Sequence, residues 1–285
     1  MAATSRVTRD LREWLAVVEQ QTGQVRRLDG ADWNLEIGSI SALAHRRTPS
    51  LAVLFDHIKD YPPGFRVLTN PLGSLQRFAA TVGLPLDLEL KDSVRAWREL
   101  TADLRPVPPR FVEDGPVMEN VLTGQDVNMW MFPTPLWHEK DGGRYIGTAH
   151  VDITRDRETG GVNLGVYRVM VHDEKHLCFY ISPGKDGFIH RQQYFDRGEP
   201  CPVAISFGHH PLLYLVGGLE VPHGLSEYDY AGGLLGEPLE VIRGPVTGLP
   251  IPARAEIAIE GFARPDLLGD EGPFGEWTGY YASSA

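Results

Sequence analysis

The stretch Arg105-Pro106-Val107-Pro108-Pro109-Arg110 separates two different patterns in this chain. Proline lacks an amide proton and has a fixed φ, so neither a helix nor a central strand runs through a segment this dense in it. On its N-terminal side apolar residues recur at helical spacing. Leu11, Trp14, Leu15 and Val18 predict an amphipathic helix, with Thr8 as its cap and Gly23 as its stop. A second helix is expected from Asn34 through Ala44, and two more over the sets Leu75, Phe78, Ala79, Val82 and Leu90, Val94, Trp97, whose aromatic residues read as core. Ala52–Phe55 and Phe65–Leu68 read as short strands around the turn Pro62-Pro63-Gly64. Beyond the proline passage β-type runs dominate: Tyr145 to Thr154, Gly161 to Val171, His176 to Ile181, Pro202 to Phe207, Leu239 to Val241 and Ala255 to Glu260. The reading is an α+β chain with a boundary near residue 115, a mixed α/β region before it and a barrel or sandwich after it.

The 285 residues suffice for one large or two ordinary domains without covalent staples. Two cysteines, Cys178 and Cys201, argue for a reducing compartment and against a disulfide framework or a cysteine zinc site. No apolar run has the length of a signal peptide or membrane span, so a cytoplasmic protein is expected. Lys and Arg number 27 against 38 Asp and Glu, a formal charge of −11 with scattered basic residues, which disfavours nucleic acid as a partner.

The chemistry-bearing residues lie in the second half. Asp270-Glu271-Gly272-Pro273-Phe274-Gly275-Glu276-Trp277-Thr278-Gly279-Tyr280-Tyr281 holds two carboxylates on a loop shaped by glycine and proline and bounded by aromatic rings. Acids set close together beside apolar rings have their pKa values pushed apart, which suits proton transfer. An exposed acidic loop is the plainer alternative. In Gly147-Thr148-Ala149-His150-Val151-Asp152, strand alternation puts Thr148, His150 and Asp152 on one face, and alternation alone favours solvent for that face. Asn163 and Arg168 sit five residues apart, on opposite faces of an ideal strand and about 17 Å from each other. Arg168, among Val166, Val169 and Met170, requires an anionic partner: a substrate carboxylate, or a salt bridge to Glu271 or Glu276. Asn163, Asp186 and Glu227 are hard oxygen donors of the kind that hold Mg²⁺ or Mn²⁺, though each also suits a turn or a cap. His209-His210 matches no metal-ligand spacing and reads as a surface pair.

Taken in order, these motifs resemble the UbiD family of reversible decarboxylases, which use prenylated flavin mononucleotide. The resemblance rests on Arg9 to Leu15, Leu35-Glu36-Ile37, Gly143-Arg144-Tyr145, Asn163 to Arg168, Leu225-Ser226-Glu227-Tyr228, Pro250 to Ile257 and Glu271 to Tyr281. It implies that residues 116–285 form a split β-barrel binding the prenylated FMN, and that Arg168, Glu271 and Glu276 form a catalytic triad. In that triad Glu276 would donate a proton after loss of carbon dioxide, while Arg168 holds the carboxylate of an aromatic, heteroaromatic or α,β-unsaturated acid. The flavin would supply the electron sink.

The same resemblance implies a divalent metal at the cofactor phosphate, usually Mn²⁺, with K⁺ nearby. Asn163 and Glu227 match two of the family's ligands. Asp186 stands where the family has histidine, or Lys185 does if the loop is shifted by one. Thr148 matches a position near the cofactor, with His150 alongside. A flavin prenyltransferase would supply the cofactor. Family members continue into a C-terminal domain that this sequence lacks, which leaves a second expectation: a non-catalytic or partial cofactor-binding subunit, or a fragment, that needs a partner chain or a homo-oligomer. An ordinary flavin reductase would have no use for two acids and an arginine around the ring.

Overall fold

In the computed structural model, which describes residues 8–222 and 224–282, helix α1 (Leu11–Thr22) begins at Asp10 and ends at Gly23 in the left-handed conformation. Asp10, and not Thr8, is the cap: its carboxylate accepts the Glu13 amide at 2.8 Å, a contact worth about 1 kcal/mol. Thr8 instead hydrogen bonds His210 at 2.7 Å. Helix α1 buries Trp14 and Val18 against Val25, Ala52 and Ala80, and the Trp14 indole N–H donates to Thr81 Oγ1 at 2.9 Å.

Strand β1 (Val25–Asp29) escapes sequence reading because Arg26 and Arg27 interrupt its apolar pattern and only Val25 is buried. It runs parallel to β2 (Ala52–Asp56), with α2 (Glu36–His45) between them in the chain, and β3 (Val67–Thr69) adds antiparallel to β2. Helices α3 (Leu75–Val82) and α4 (Leu90–Ala102) follow as expected. Arg77 on α3 is wholly buried and donates to Gln24, Ser50, Asn70 and Pro71 oxygens, and burial lowers its pKa to about 10.

After β4 (Arg110–Phe111), two expected strands turn out to be four. The run Tyr145–Thr154 is broken into β5 (Arg144–Gly147) and β6 (Val151–Arg155), and the run Gly161–Val171 into β7 (Val162–Gly165) and β8 (Val169–Val171). At each break the chain changes sheets. Strand β8 lies between β5 and β9 (Leu177–Phe179), whereas β6 and β7 belong with β10 (Cys201–Phe207). Asn163 is therefore in β7 and Arg168 in the break before β8, so the two do not lie on opposite faces of one strand.

Three helices interrupt the β-rich half where no helical pattern was read: α5 (Asp186–Phe195), α6 (Pro211–Gly217) and α7 (Glu227–Leu235). Strands β11 (Glu240–Arg243) and β12 (Pro250–Pro252) form a small sheet with β4. Strand β13 (Ile257–Ala263) completes the four-stranded sheet β13-β10-β6-β7, and β14 (Phe274–Gly275) pairs with β15 (Tyr281–Ala282).

The four-stranded sheet is covered on both faces. Val151, Ile153, Leu164 and Ala204 pack on Leu212, Leu213, Val216 and Tyr228 of α6 and α7. Val203, Ile205 and Phe207 pack on Val169 and on Ile146, Leu177 and Phe179 of the three-stranded sheet. Each fully buried side chain of this kind contributes about 1.5–3 kcal/mol.

Candidate active site

Arg168 is the last residue of the break between β7 and β8, and that break frees its side chain from the ladder. Its guanidinium makes two parallel hydrogen bonds to Glu271, Nε to Oε1 at 2.8 Å and Nη2 to Oε2 at 2.9 Å. Nη1 donates to Glu276 Oε1 at 3.1 Å. The salt bridge and the triad read from the sequence thus join the same three residues. Glu271 is buried, whereas the Glu276 side chain keeps 34% of its surface exposed. The hydrogen bond to Glu271 raises the Arg168 pKa, so the guanidinium stays charged.

The loop carrying both acids is fastened from behind. Gly142 N–H donates to Pro273 O at 2.8 Å, and Gly275 N–H to Asp141 Oδ1 at 2.8 Å. The backbones approach so closely that a Cβ at Gly142 would lie 1.9 Å from Gly272 O. Two aromatic residues without an assigned role complete the cluster. Tyr145 donates its hydroxyl to Glu271 Oε1 at 2.7 Å, and its ring contacts Phe274 at 4.5 Å between centroids. Burial, then the neighbouring Glu271, raises the Tyr145 pKa and keeps it a donor. Phe274 also lies 5.7 Å from the Arg168 guanidinium. The available signal was Tyr145 itself: a tyrosine in a buried strand needs a partner for its hydroxyl.

Arg168, Glu276 and Phe274 line a cavity of about 350 Å³ together with Thr148, Tyr167, Ser182 and Lys185. Thr148 also lines a larger cavity of about 860 Å³, which extends past His150 and Phe207 toward Pro63 and Arg66 of the N-terminal region. Of the expected metal ligands, Asn163 and Glu227 are buried and Asp186 is exposed. Glu227 Oε2 accepts the Leu164 amide at 2.8 Å, and the Asn163 amide donates to Thr154 Oγ1 at 3.3 Å. Burial, with Asp186 and Asp229 adding to it, pushes the Glu227 pKa up to about 7. Asp186 opens α5, where the next residue, Gly187, donates its N–H to Tyr167 Oη at 3.3 Å. The Tyr167 ring sits so close to Gly165 that a Cβ there would fall 2.2 Å from it.

His150 and Asp152 are buried, not solvent-facing, and hydrogen bonded to each other at 2.9 Å. His209 and His210 are likewise buried, which corrects the reading of a surface pair. His209 Nδ1 lies 3.1 Å from Ser206 Oγ, and His210 Nδ1 accepts the Leu212 amide at 3.1 Å. Burial lowers their pKa values to about 3 and about 4. Among the described residues no group of three or more His, Cys, Asp or Glu side chains is placed to hold a metal, and no helix is long and apolar enough to cross a membrane.

Residues 110–285 match the UbiD family model, described as the 3-octaprenyl-4-hydroxybenzoate carboxy-lyase Rift-related domain, and residues 18–97 match the N-terminal domain of the same carboxy-lyase. The chain belongs to the UbiD family. Among UbiD relatives, the pyrrole-2-carboxylic acid decarboxylase of Pseudomonas aeruginosa is 37% identical over 279 residues, which cover 95% of this chain and 56% of that protein. The vanillic acid decarboxylase of Sedimentibacter hydroxybenzoicus in its closed form superposes with a TM-score of 0.89 at 30% identity, over 98% of this chain and 60% of that one. An evolved dimeric form of the UbiD-class enzyme HmfF from Pelotomaculum thermopropionicum, solved with prenylated FMN, superposes with a TM-score of 0.86 at 29% identity, over 98% and 62% of the two chains. This UbiD chain thus spans under two thirds of the length of these relatives, and its mixed α/β fold is theirs.

Proposed function

We propose that this chain carries the catalytic centre of a non-oxidative decarboxylase acting on an aromatic or heteroaromatic carboxylic acid, with prenylated FMN as cofactor. The observation that carries the reading is Arg168 at a cavity wall, bonded doubly to buried Glu271 and singly to partly exposed Glu276. When bound, the flavin supplies the electron sink that no side chain can provide. Arg168 holds the substrate carboxylate. Glu271, fixed by Tyr145, balances the guanidinium charge and sets its plane. Glu276 delivers a proton to the carbon that loses carbon dioxide, a step worth about 10²–10⁴ in rate when a positioned acid performs it.

Residues 1–115 and 116–285 are proposed as the two domains, the second a split β-barrel, with Thr148, Asn163, Arg168 and Glu227 on the cofactor side. Asn163, Asp186 and Glu227 would hold a Mn²⁺ or Mg²⁺ ion: buried Glu227, with the Asp186 charge near it, is destabilised as an anion, which a bound cation would offset. Such an ion, with K⁺ beside it, would hold the cofactor phosphate. The pyrrole-2-carboxylic and vanillic acid activities of the relatives support an aromatic or heteroaromatic acid.

The test is production together with a flavin prenyltransferase, followed by measurement of carbon dioxide release from pyrrole-2-carboxylate and vanillate. Glu276→Gln is expected to lower turnover at least about a hundredfold. Unchanged turnover in that variant would remove Glu276 from the mechanism. A second reading, a cofactor-binding unit that works against a partner surface or in an oligomer, is favoured by the exposed apolar side chains around the acidic loop: Leu268 at 83%, Trp277 at 84% and Tyr280 at 66%. Bound cofactor without turnover, restored by a partner chain, is the result that reading expects.

A further inference from the structure

The peptide of Tyr167 lies in the gap between β7 and β8, where no neighbouring strand bonds it. Two side chains from the chain entering β6 do so instead. Tyr167 N–H donates to Asp152 Oδ2 at 3.0 Å, and Tyr167 O lies 2.8 Å from His150 Nε2. The same His150 nitrogen is 2.9 Å from Asp152 Oδ2. Both oxygens facing Nε2 only accept, so Nε2 carries the proton and is shared between them. The ring is wedged in place by stacking on Phe207, 5.5 Å between centroids at 23°. Among the described residues His150 Nδ1 and Asp152 Oδ1 have no hydrogen-bond partner. Among the described residues, the side-chain hydrogen bonds of each therefore go to the Tyr167 backbone and to the other. Burying a carboxylate and an imidazole in this way costs free energy that an apolar pair of the same size would avoid, which points to a positional task.

We infer that His150 and Asp152 are positioning residues: they clamp both backbone polar groups of Tyr167 and thereby aim the next residue, Arg168, at Glu271 and the cavity. The inference rests on the reading of Arg168 as the carboxylate holder. Because the clamp acts on backbone, it fixes the Cα–Cβ direction of Arg168 independently of the salt bridge at the far end of the side chain. An offset of an ångström at Cα would break the parallel pair of bonds to Glu271, whose loop is held separately by Asp141.

The test uses the full chain produced with a flavin prenyltransferase and compares His150→Phe with His150→Gln. Phenylalanine keeps the stacked ring and removes the donor, whereas glutamine places an amide N–H where Nε2 stands. In crystal structures His150→Phe is expected to displace residues 166–168 and lose the two-bond contact of Arg168 with Glu271, and His150→Gln to keep both. In parallel, the Kd for pyrrole-2-carboxylate should rise about tenfold or more in His150→Phe and recover to within about threefold in His150→Gln. If His150→Phe does not fold, His150→Asn, whose amide is one bond too short to reach the carbonyl, carries the same expectation. Wild-type Arg168 geometry in the variant lacking the donor overturns the inference. Arg168→Ala is the control on the underlying reading: if it leaves carboxylate binding unchanged, the role of Arg168 fails, whereas a weakened Arg168→Ala beside an unaffected His150→Phe rejects only the clamp.

Discussion

Tyr145 shows how a single hydroxyl supports a charged pair. It supplies Glu271 with a third hydrogen bond on an oxygen that already accepts Arg168 Nε. Tyr145→Phe removes this bond from a buried carboxylate, at an expected cost of roughly 1.5–3 kcal/mol, the range for hydrogen bonds to charged groups. The loss should appear as a lower urea midpoint with an unchanged m-value. Carbon dioxide release should fall less than in Glu276→Gln, because Tyr145 does not line the cavity. Stability equal to wild type would mean that Glu271 is satisfied without the tyrosine. The acids and Arg168 were legible because charged residues stood out among glycine, aromatic and β-branched neighbours. Tyr145 is not legible in the same way, since an aromatic residue in an apolar strand looks like core and only the fold brings its hydroxyl to Glu271.

At the level of elements, the turn from β10 into α6 buries two histidines in sequence. Their folded pKa values, about 3 for His209 and about 4 for His210, lie below the value near 6.5 that the unfolded chain has. Below pH 6.5 the unfolded state therefore binds more protons than the folded one. Stability is expected to fall as the pH drops from about 6.5 toward 4, by about 1.4 kcal/mol per pH unit for each histidine. Urea unfolding at pH 7, 6 and 5 measures this, with His209→Asn and His210→Gln expected to flatten the slope. A slope unchanged in both variants would place the acid sensitivity elsewhere. Sequence reading missed this turn because adjacent histidines before a proline carry no sign of the strand Cys201–Phe207 and the helix that bury them. It also ran β5 into β6 and β7 into β8, since a period of two persists across a sheet change that only neighbouring strands reveal.

Across the whole molecule, the regions on either side of the proline passage share one core. Ala79, Val82 and Leu84 from α3 and the turn after it pack with Leu212, Leu213 and Val216 of α6. Arg12 makes two hydrogen bonds to Glu256, at 2.6 and 2.8 Å, and Thr8 reaches His210. Arg144 lies over Trp33 at 3.9 Å and donates to Tyr61 Oη at 2.6 Å. Calorimetry of the intact chain is expected to show a single transition, and residues 116–285 produced alone should unfold at a lower temperature or aggregate. Two resolved transitions, the second retained in the shorter chain, would show that the regions unfold independently.

The sequence by itself determined the α+β order of patterns, most of the N-terminal helices and the residues of the acid–arginine cluster, because these depend on local periodicity, proline and glycine geometry, and unusual charges. Tertiary structure alone decided that Arg168 leaves its strand, that Asp10 rather than Thr8 caps α1, that Arg77 is buried among carbonyls, and that His150, Asp152 and the His209-His210 pair are interior. All but the Asp10 cap, a local contact with the Glu13 amide, depend on partners distant in the chain. Burial and hydrogen-bond satisfaction are properties of the packed whole, and no window of sequence contains them.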